Sequence, residues 1–235
     1  MQIFENLIIV GTSHVAIESV KQVKQVINEY KPKVVAIELD KDRFLALMKK
    51  KKTKQKFNWK MFKHLGIKGM LFALIGAWVE EKIGKSVGVL PGSEMKTAAI
   101  EAAKIGANVA LIDQDIRITI NHLFKYITWK EKLRFLWDII KAVILRKPEV
   151  EIFDLRKVPD ESVVNKLLKK TKKRYPGFYK ALVKERNVYM AKNLYNLMNT
   201  YKEDKIVAFV GAGHEKDIIK IIEAKKSVHI HKKRS

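Results

Sequence analysis

Four short aliphatic runs set the tightest limit on how this chain can fold: "LIIV" (7–10), "VVAIEL" (34–39), "NVALID" (108–113) and "IVAFV" (206–210). Each is continuous rather than alternating, the pattern of a strand buried on both faces of a parallel sheet. Helical segments separate them. Residues 15–30 carry Val15, Ile17, Val20, Val23, Val26 and Ile27 on one stripe. "SEMKTAAIEAAKIG" (93–106) opens on a serine cap and closes on Gly106. A longer helix is expected over 177–201, and another after His214. This alternation predicts an α/β fold with a mostly parallel central sheet flanked by helices.

Two stretches interrupt the alternation and read as helical insertions, about 49–85 and 121–150. The first begins with a lysine run and turns apolar, with Trp59, Phe62, Phe72 and Trp78. The second places Leu133, Leu136, Trp137, Ile140, Val143 and Ile144 on one helical face. Such stripes pack on their own domain or on a second subunit, or lie in the interface of an acidic membrane. The apolar run 69–79 is short of the ~18 residues that a spanning helix needs, so no transmembrane helix is expected. Residues 1–235 are expected to form one α/β domain carrying these insertions. "KKRS" reads as a frayed tail.

With no cysteine, disulfides, thiolate metal sites and thiol nucleophiles are excluded. The start "MQIFENLIIVGTSH" has neither the charge nor the apolar length of a signal or transit peptide. A formal charge of +23 raises three partners, namely nucleic acid, an acidic membrane surface and an anionic substrate, against a plain lysine-coated surface. Nucleic acid is disfavoured, because no recognised nucleic-acid fold or aromatic platform accompanies the charge.

In an open parallel sheet, ligands sit beyond the carboxyl ends of the strands. Gly11-Thr12-Ser13-His14 follows the first run, and the second ends in Glu38-Leu39-Asp40. Asp113-Gln114-Asp115 follows the third with Arg117 just beyond, and Gly211-Ala212-Gly213-His214 follows the fourth. Two of the six histidines therefore reach one sheet edge together with several carboxylates. The glycines Gly11, Gly211 and Gly213 permit positive φ or a close approach of backbone or ligand. Imidazole with carboxylate suits zinc, manganese, iron or cobalt, and such an ion lowers the pKa of bound water.

Plainer roles exist for each residue. A histidine after a glycine turn serves as a hydrogen-bonder or cap, and Asp40, Asp113 and Asp115 as helix caps, with Arg117 paired to an aspartate. Glu94 in the first turn of a helix favours its dipole, and Glu185-Arg186 in mid-helix reads as an exposed pair. "GAGHEK" is no dinucleotide fingerprint, since Lys216 stands where the last glycine belongs. "HIH" (229–231), which would present two imidazoles on one strand face, reads as incidental beside the basic terminus.

The chain resembles the TraB/PrgY family, related to the Tiki metalloproteases and more distantly to the ChaN and erythromycin-esterase group. "GTSHVAIES", "KPKVVAIELDKDR", "PGSEMKTAAIEAAKIGANVALIDQDIRITI", "KERNVYMAKNL" and "FVGAGHEKDI" carry the likeness, in the family's order and over most of the chain. The resemblance implies a metal-dependent hydrolase or peptidase acting on a peptide or amide bond. His14 and His214 match its two motif histidines and, with a glutamate, would bind manganese, cobalt or zinc. That glutamate is Glu38 or Glu94. Arg43, Arg117 and Arg186 are candidates to orient a substrate carboxylate or an oxyanion, with Asp113, Asp115 and Glu185 beside them.

Bacterial relatives are associated with reducing peptide pheromone activity, which implies a peptide substrate or ligand and leaves a non-catalytic, membrane-associated regulator as the alternative. The family's usual Asp-Arg-Asp is Asp113-Gln114-Asp115 here, so the central arginine's role is lost or moved to Arg117. Many prokaryotic members continue into C-terminal membrane helices. The expected location is cytoplasmic or membrane-associated on the cytoplasmic side, with a homodimer plausible from the insertion faces.

Overall fold

A computed structural model describes residues 1–12, 17–49, 92–145 and 161–234. All four aliphatic runs are strands: β2 (Leu7–Thr12), β3 (Val34–Ile37), β4 (Asn108–Leu111) and β5 (Ile206–Gly211). A short β1 (Gln2–Phe4), not anticipated, adds antiparallel to β2 across a tight turn at Glu5-Asn6, with Glu5 at φ 54°. The sheet order is β1-β2-β5-β3-β4, so the last strand in sequence inserts between the first two aliphatic runs. Its four long members are parallel, in a register that aligns Leu7, Ile206, Val34 and Asn108.

The alternation of β5 explains the layers. Val207 and Phe209 face one way, into a core with Ile8, Val10, Val35 and Ile37. That face is covered by α1 (Ile17–Tyr30) and α3 (Ser93–Lys104), through Val23, Ile27, Met95 and Ala98. Ile206, Ala208 and Val210 face the other way, against Met190, Leu194, Ile218 and Ile222. The continuous apolar runs of β2, β3 and β5 are therefore buried on both faces, as expected. The β4 run is not. As an edge strand it leaves Asn108 and Val109 exposed.

Local chemistry sets the helix ends. Asp40 caps α2 (Lys41–Met48), accepting from the Arg43 N–H at 2.9 Å. The expected serine cap of α3 is replaced by Gly92, left-handed at φ 81°, with Ser93 as the first helical residue. Gly106 ends that region at φ 69°, a conformation that favours glycine. Asp115 caps α4 (Ile116–Tyr126), and α5 (Trp129–Leu145) follows, so the second insertion is two helices separated at residues 127–128, with 146–150 outside the described residues. The first insertion lies outside the described residues from 50 onward. No helix among the described residues is long and apolar enough to cross a membrane.

Thr128 and Glu131 form a reciprocal capping box at the start of α5. The same Glu131 carboxylate accepts the Gly177 N–H at 2.8 Å. A Cβ on Gly177 would stand 2.3 Å from the Tyr126 carbonyl oxygen, which is backbone and has nowhere to go. Gly177→Ala is therefore expected to cost about 1–3 kcal/mol or more in a denaturant titration. Burial pushes the Glu131 carboxyl up, but the donors on Thr128 and Gly177 outweigh it and hold it below its ordinary 4.5. Stability from a lowered carboxyl is present above the unfolded pKa and fades as pH falls through the folded one. Glu131→Gln should thus flatten the loss of stability below about pH 4.5, followed by acid titration of the unfolding midpoint.

The helix expected over 177–201 is not regular. After α6 (Glu161–Arg174), a single turn α7 (Pro176–Tyr179) runs through a π-turn (Lys180–Lys184) into α8 (Glu185–Thr200). The buried stripe of α8 is Asn187, Met190, Ala191, Leu194 and Met198. Counted back in helical steps it would bury residue 183 or 184, yet Ala181 is the buried one. The wide turn resets the phase, and such turns cluster at functional sites. After β5, α9 (Glu215–Arg234) runs through both the expected frayed tail and the "HIH" stretch. His229 and His231 are thus in a helix, not on the strand that the expectation required.

Candidate functional site

Beyond β5 the chain enters α9 on one face, while beyond β2 and β3 it leads to helices on the other. Adjacent strands whose successors depart to opposite faces open a crevice at their carboxyl ends. Glu38 sits there, 3 % exposed, directly after β3. Its own N–H donates to the Phe209 carbonyl at 3.2 Å, and its Oε2 accepts the Gly211 N–H at 2.5 Å. The side chain thereby bridges the ends of β3 and β5. Its Oε1 accepts from the Arg186 guanidinium.

Arg186 also grips Asp113 bidentately, Nε to Oδ1 at 3.0 Å and Nη2 to Oδ2 at 2.7 Å. Asp113 has no side-chain exposure and accepts a second guanidinium, from Arg43. Arg43 in turn donates through Nε to Asp40 Oδ2 at 2.6 Å. Asp40, Arg43, Asp113, Arg186 and Glu38 thus form one ion chain joining the strand ends to α2 and α8. Burial disfavours the charge on Arg186, but Glu38 and Asp113 outweigh it and raise its pKa. Arg43 is raised for the same reason, by Asp113 and Asp40 against burial. Along this chain three carboxylates meet two guanidiniums.

His214 lies at the Glu38 end. Its N–H donates to the Gly211 carbonyl at 2.8 Å, and its own carbonyl accepts from Ile218 at 3.0 Å, which places it at the entry of α9. Imidazole Nδ1 meets Asn187 Oδ1 at 2.5 Å, and Asn187 Nδ2 donates to Asp217 Oδ2 at 3.4 Å. With the amide oxygen facing the imidazole, Nδ1 is the donor of that pair. Nε2 faces Glu38 Oε1 at 3.5 Å. An imidazole nitrogen and a carboxylate oxygen at that distance suit a proton or a cation between them.

The remaining expected residues separate. His14 lies outside the described residues, and with it the second half of the histidine pair. Glu94 is 1 % exposed in the first turn of α3. Asp115 and Arg117 pair with each other at the exposed start of α4, and Arg117 lies 3.7 Å from Asp42. Arg117 therefore stays on Asp115, and the partners of Asp113 are Arg43 and Arg186; Gln114 is buried against Thr119 instead. Glu185 points to a different cluster, with His122 Nδ1 at 2.5 Å and the Tyr126 hydroxyl at 2.7 Å.

The glycine expectation needs a correction in kind. None of Gly11, Gly211 and Gly213 is among the glycines with positive φ. Gly11 and Gly211 are strand residues. At Gly11 close approach is the reason for glycine, since a Cβ there would stand 2.4 Å from Glu215 Oε2 and 3.1 Å from Ala212 Cα. At Gly213 a Cβ would make only ordinary contacts with Leu168 and Val164.

Among the described residues, no three His, Cys, Asp or Glu side chains are grouped so as to hold a metal ion. His214 and Glu38 supply two donors. Reading the sequence as strand ends missed Asn187, Asp217 and Glu215. Asn187 sits within "KERNVYMAKNL", and Glu215 and Asp217 closely follow His214, so order in the chain held a signal but not a role.

The profile of the TraB/PrgY/gumN family matches residues 4–226. An uncharacterized protein of Methanocaldococcus jannaschii is 34% identical over 93% of this chain and 53% of its own length. The human TraB domain-containing protein is 24% identical over 77% of this chain and 50% of its own length, and the mouse protein of that name is 22% identical over the same shares. The chain spans about half the length of these curated relatives. With the family's profile covering nearly all of it, the chain belongs to the TraB/PrgY/gumN family.

Proposed function

We propose that the crevice at the carboxyl ends of β2, β3 and β5 is the active site of a metal-dependent hydrolase acting on peptide or amide bonds. The observation that carries this reading is His214 Nε2 turned toward Glu38 Oε1 at 3.5 Å, its tautomer set from behind by Asn187. Glu38 and His214 would hold a divalent ion such as manganese, cobalt or zinc, with His14, two positions beyond β2 in sequence, as the third donor.

A divalent ion supplies Lewis acidity and a more acidic bound water. The chain's own residues supply the rest. Asn187 orients the imidazole, as outer partners of ligating histidines do. Arg186 fixes the Glu38 rotamer, and the Gly211 N–H anchors the other carboxylate oxygen. The same ion chain favours a second reading, a peptide-binding regulator without catalysis, because Asp113 and Glu38 are already engaged with guanidiniums. Metal analysis with a peptide-library screen separates the two. One equivalent of manganese, cobalt or zinc, together with metal-dependent cleavage, is the expected result. A protein that binds peptide but neither ion nor scissile bond would sink the hydrolase.

A further inference from the structure

A second concavity opens on the far side of Asn187, between the α6–α7 corner and the first turns of α9. It encloses about 440 Å³, within the range of small-ligand sites. Lys172, Lys180, Lys184 and Lys220 stand around it, with Asp217 as the one carboxylate among its described lining residues. Among the described residues none of these four ammonium groups meets a carboxylate at ion-pair distance. In a protein of charge +23 exposed lysines are common, but four without a carboxylate partner around one cleft focus the field there.

The floor narrows the ligand further. Asp217 Oδ2 accepts from the Tyr179 hydroxyl and from Asn187 Nδ2, both at 3.4 Å, the weak end of the hydrogen-bond range. It thus keeps acceptor capacity for a backbone N–H, and would repel a compact anion seated centrally. Pro176, Tyr179 and Ile221 give the wall an apolar stretch between the lysines. Among the described residues no arginine fork lines it to grip a phosphate bidentately. Among them, too, a single aromatic ring lines the cleft, with Lys172 over it at 5.8 Å, and one ring makes no stacking platform for bases.

We infer that this cleft docks acidic peptide segments, with spaced carboxylates on the lysines, apolar side chains on the wall and a backbone N–H on Asp217. Asn187 forms the floor of the cleft and, through its other end, holds His214. On the hydrolase reading, which this placement rests on, the acidic residues would flank the scissile bond rather than contain it.

The test is fluorescence anisotropy with a labelled peptide of alternating Glu and Leu and its Gln-for-Glu counterpart. Wild type should prefer the acidic probe, and the Lys172→Glu/Lys184→Glu/Lys220→Glu variant should bind it about tenfold or more weakly, the sum of three exposed ion pairs. A control of equal charge, Lys21→Glu/Lys24→Glu/Lys192→Glu, should bind nearly as wild type. Equal losses in the two variants, or equal binding of the Gln probe, would overturn the docking site. So would displacement of the peptide by tripolyphosphate at far lower concentration than by the unlabelled peptide. His214→Ala should retain binding. If it does and wild type cleaves nothing, docking stands and the hydrolase falls. Cleavage indifferent to acidic residues, with no probe preference, leaves the hydrolase standing and overturns the docking site.

Discussion

Replacing Arg186 by methionine is expected to destabilise the protein by about 3–5 kcal/mol, the usual result of removing one partner from a buried ion pair. Arg186 neutralises Glu38 and Asp113 together, and their side chains are 3% and 0% exposed. Methionine has similar bulk, so the loss comes from two buried carboxylates that each lose a guanidinium, Asp113 keeping only Arg43 and Glu38 the Gly211 N–H, rather than from a cavity. For a chain of this size, that shifts the thermal midpoint by roughly 10 °C. Urea unfolding measures it, and a change below about 1 kcal/mol would mean that solvent reaches the ion chain. Arg186→Lys should recover part of the loss, since it restores the charge but cannot grip Asp113 bidentately. Glu38→Gln would instead remove the Glu38 charge while keeping an acceptor for the Gly211 N–H.

His214→Ala is expected to reduce metal-dependent peptide hydrolysis by at least about 100-fold and to abolish stoichiometric ion binding. The side chain is nearly buried, and its two nitrogens have different duties, Nδ1 toward Asn187 and Nε2 toward Glu38. Asn187→Leu separates them. It leaves the imidazole in place but removes the group that fixes its tautomer, and outer partners of this kind are worth about 10–100-fold. Ion affinity should fall with activity in Asn187→Leu, and the pH profile of cleavage should shift as the imidazole loses its partner. Activity unchanged in both variants would remove His214 from the chemistry. Activity lost without any change in ion binding would leave it a role in substrate alone.

Much of the scaffold was legible because burial on both faces leaves a plain mark: runs such as "LIIV" and "IVAFV" have no polar position to spare for solvent. β1 escaped because three residues with one buried neighbour carry almost no pattern. The run before Asp113 read as fully buried, yet β4 is an edge, and nothing within four residues records which neighbours a strand will have. The π-turn at 180–184 was illegible for a related reason, since its phase shift is fixed by what α8 packs on, not by local propensity.

The candidate site divides along the same line. Chain order alone placed Glu38, Asp113 and His214 immediately beyond strand ends, and the parallel-sheet rule put them at one edge. It could not pair them. Asp113 lies 73 residues from Arg186, and Glu38 lies 148 from it. Which arginine answers which carboxylate depended on β5 inserting between β2 and β3, and on the reset phase of α8. Arg117, adjacent in sequence, stayed on Asp115 because a helix start offers its own local partner first. The sequence by itself determined which residues stand at the sheet's carboxyl edge, because hydrophobic runs fix where strands end. Only the tertiary structure decided that Asn187 would set the tautomer of His214 and that Arg186 would join Glu38 to Asp113, because side-chain pairing follows spatial neighbours that chain order does not record.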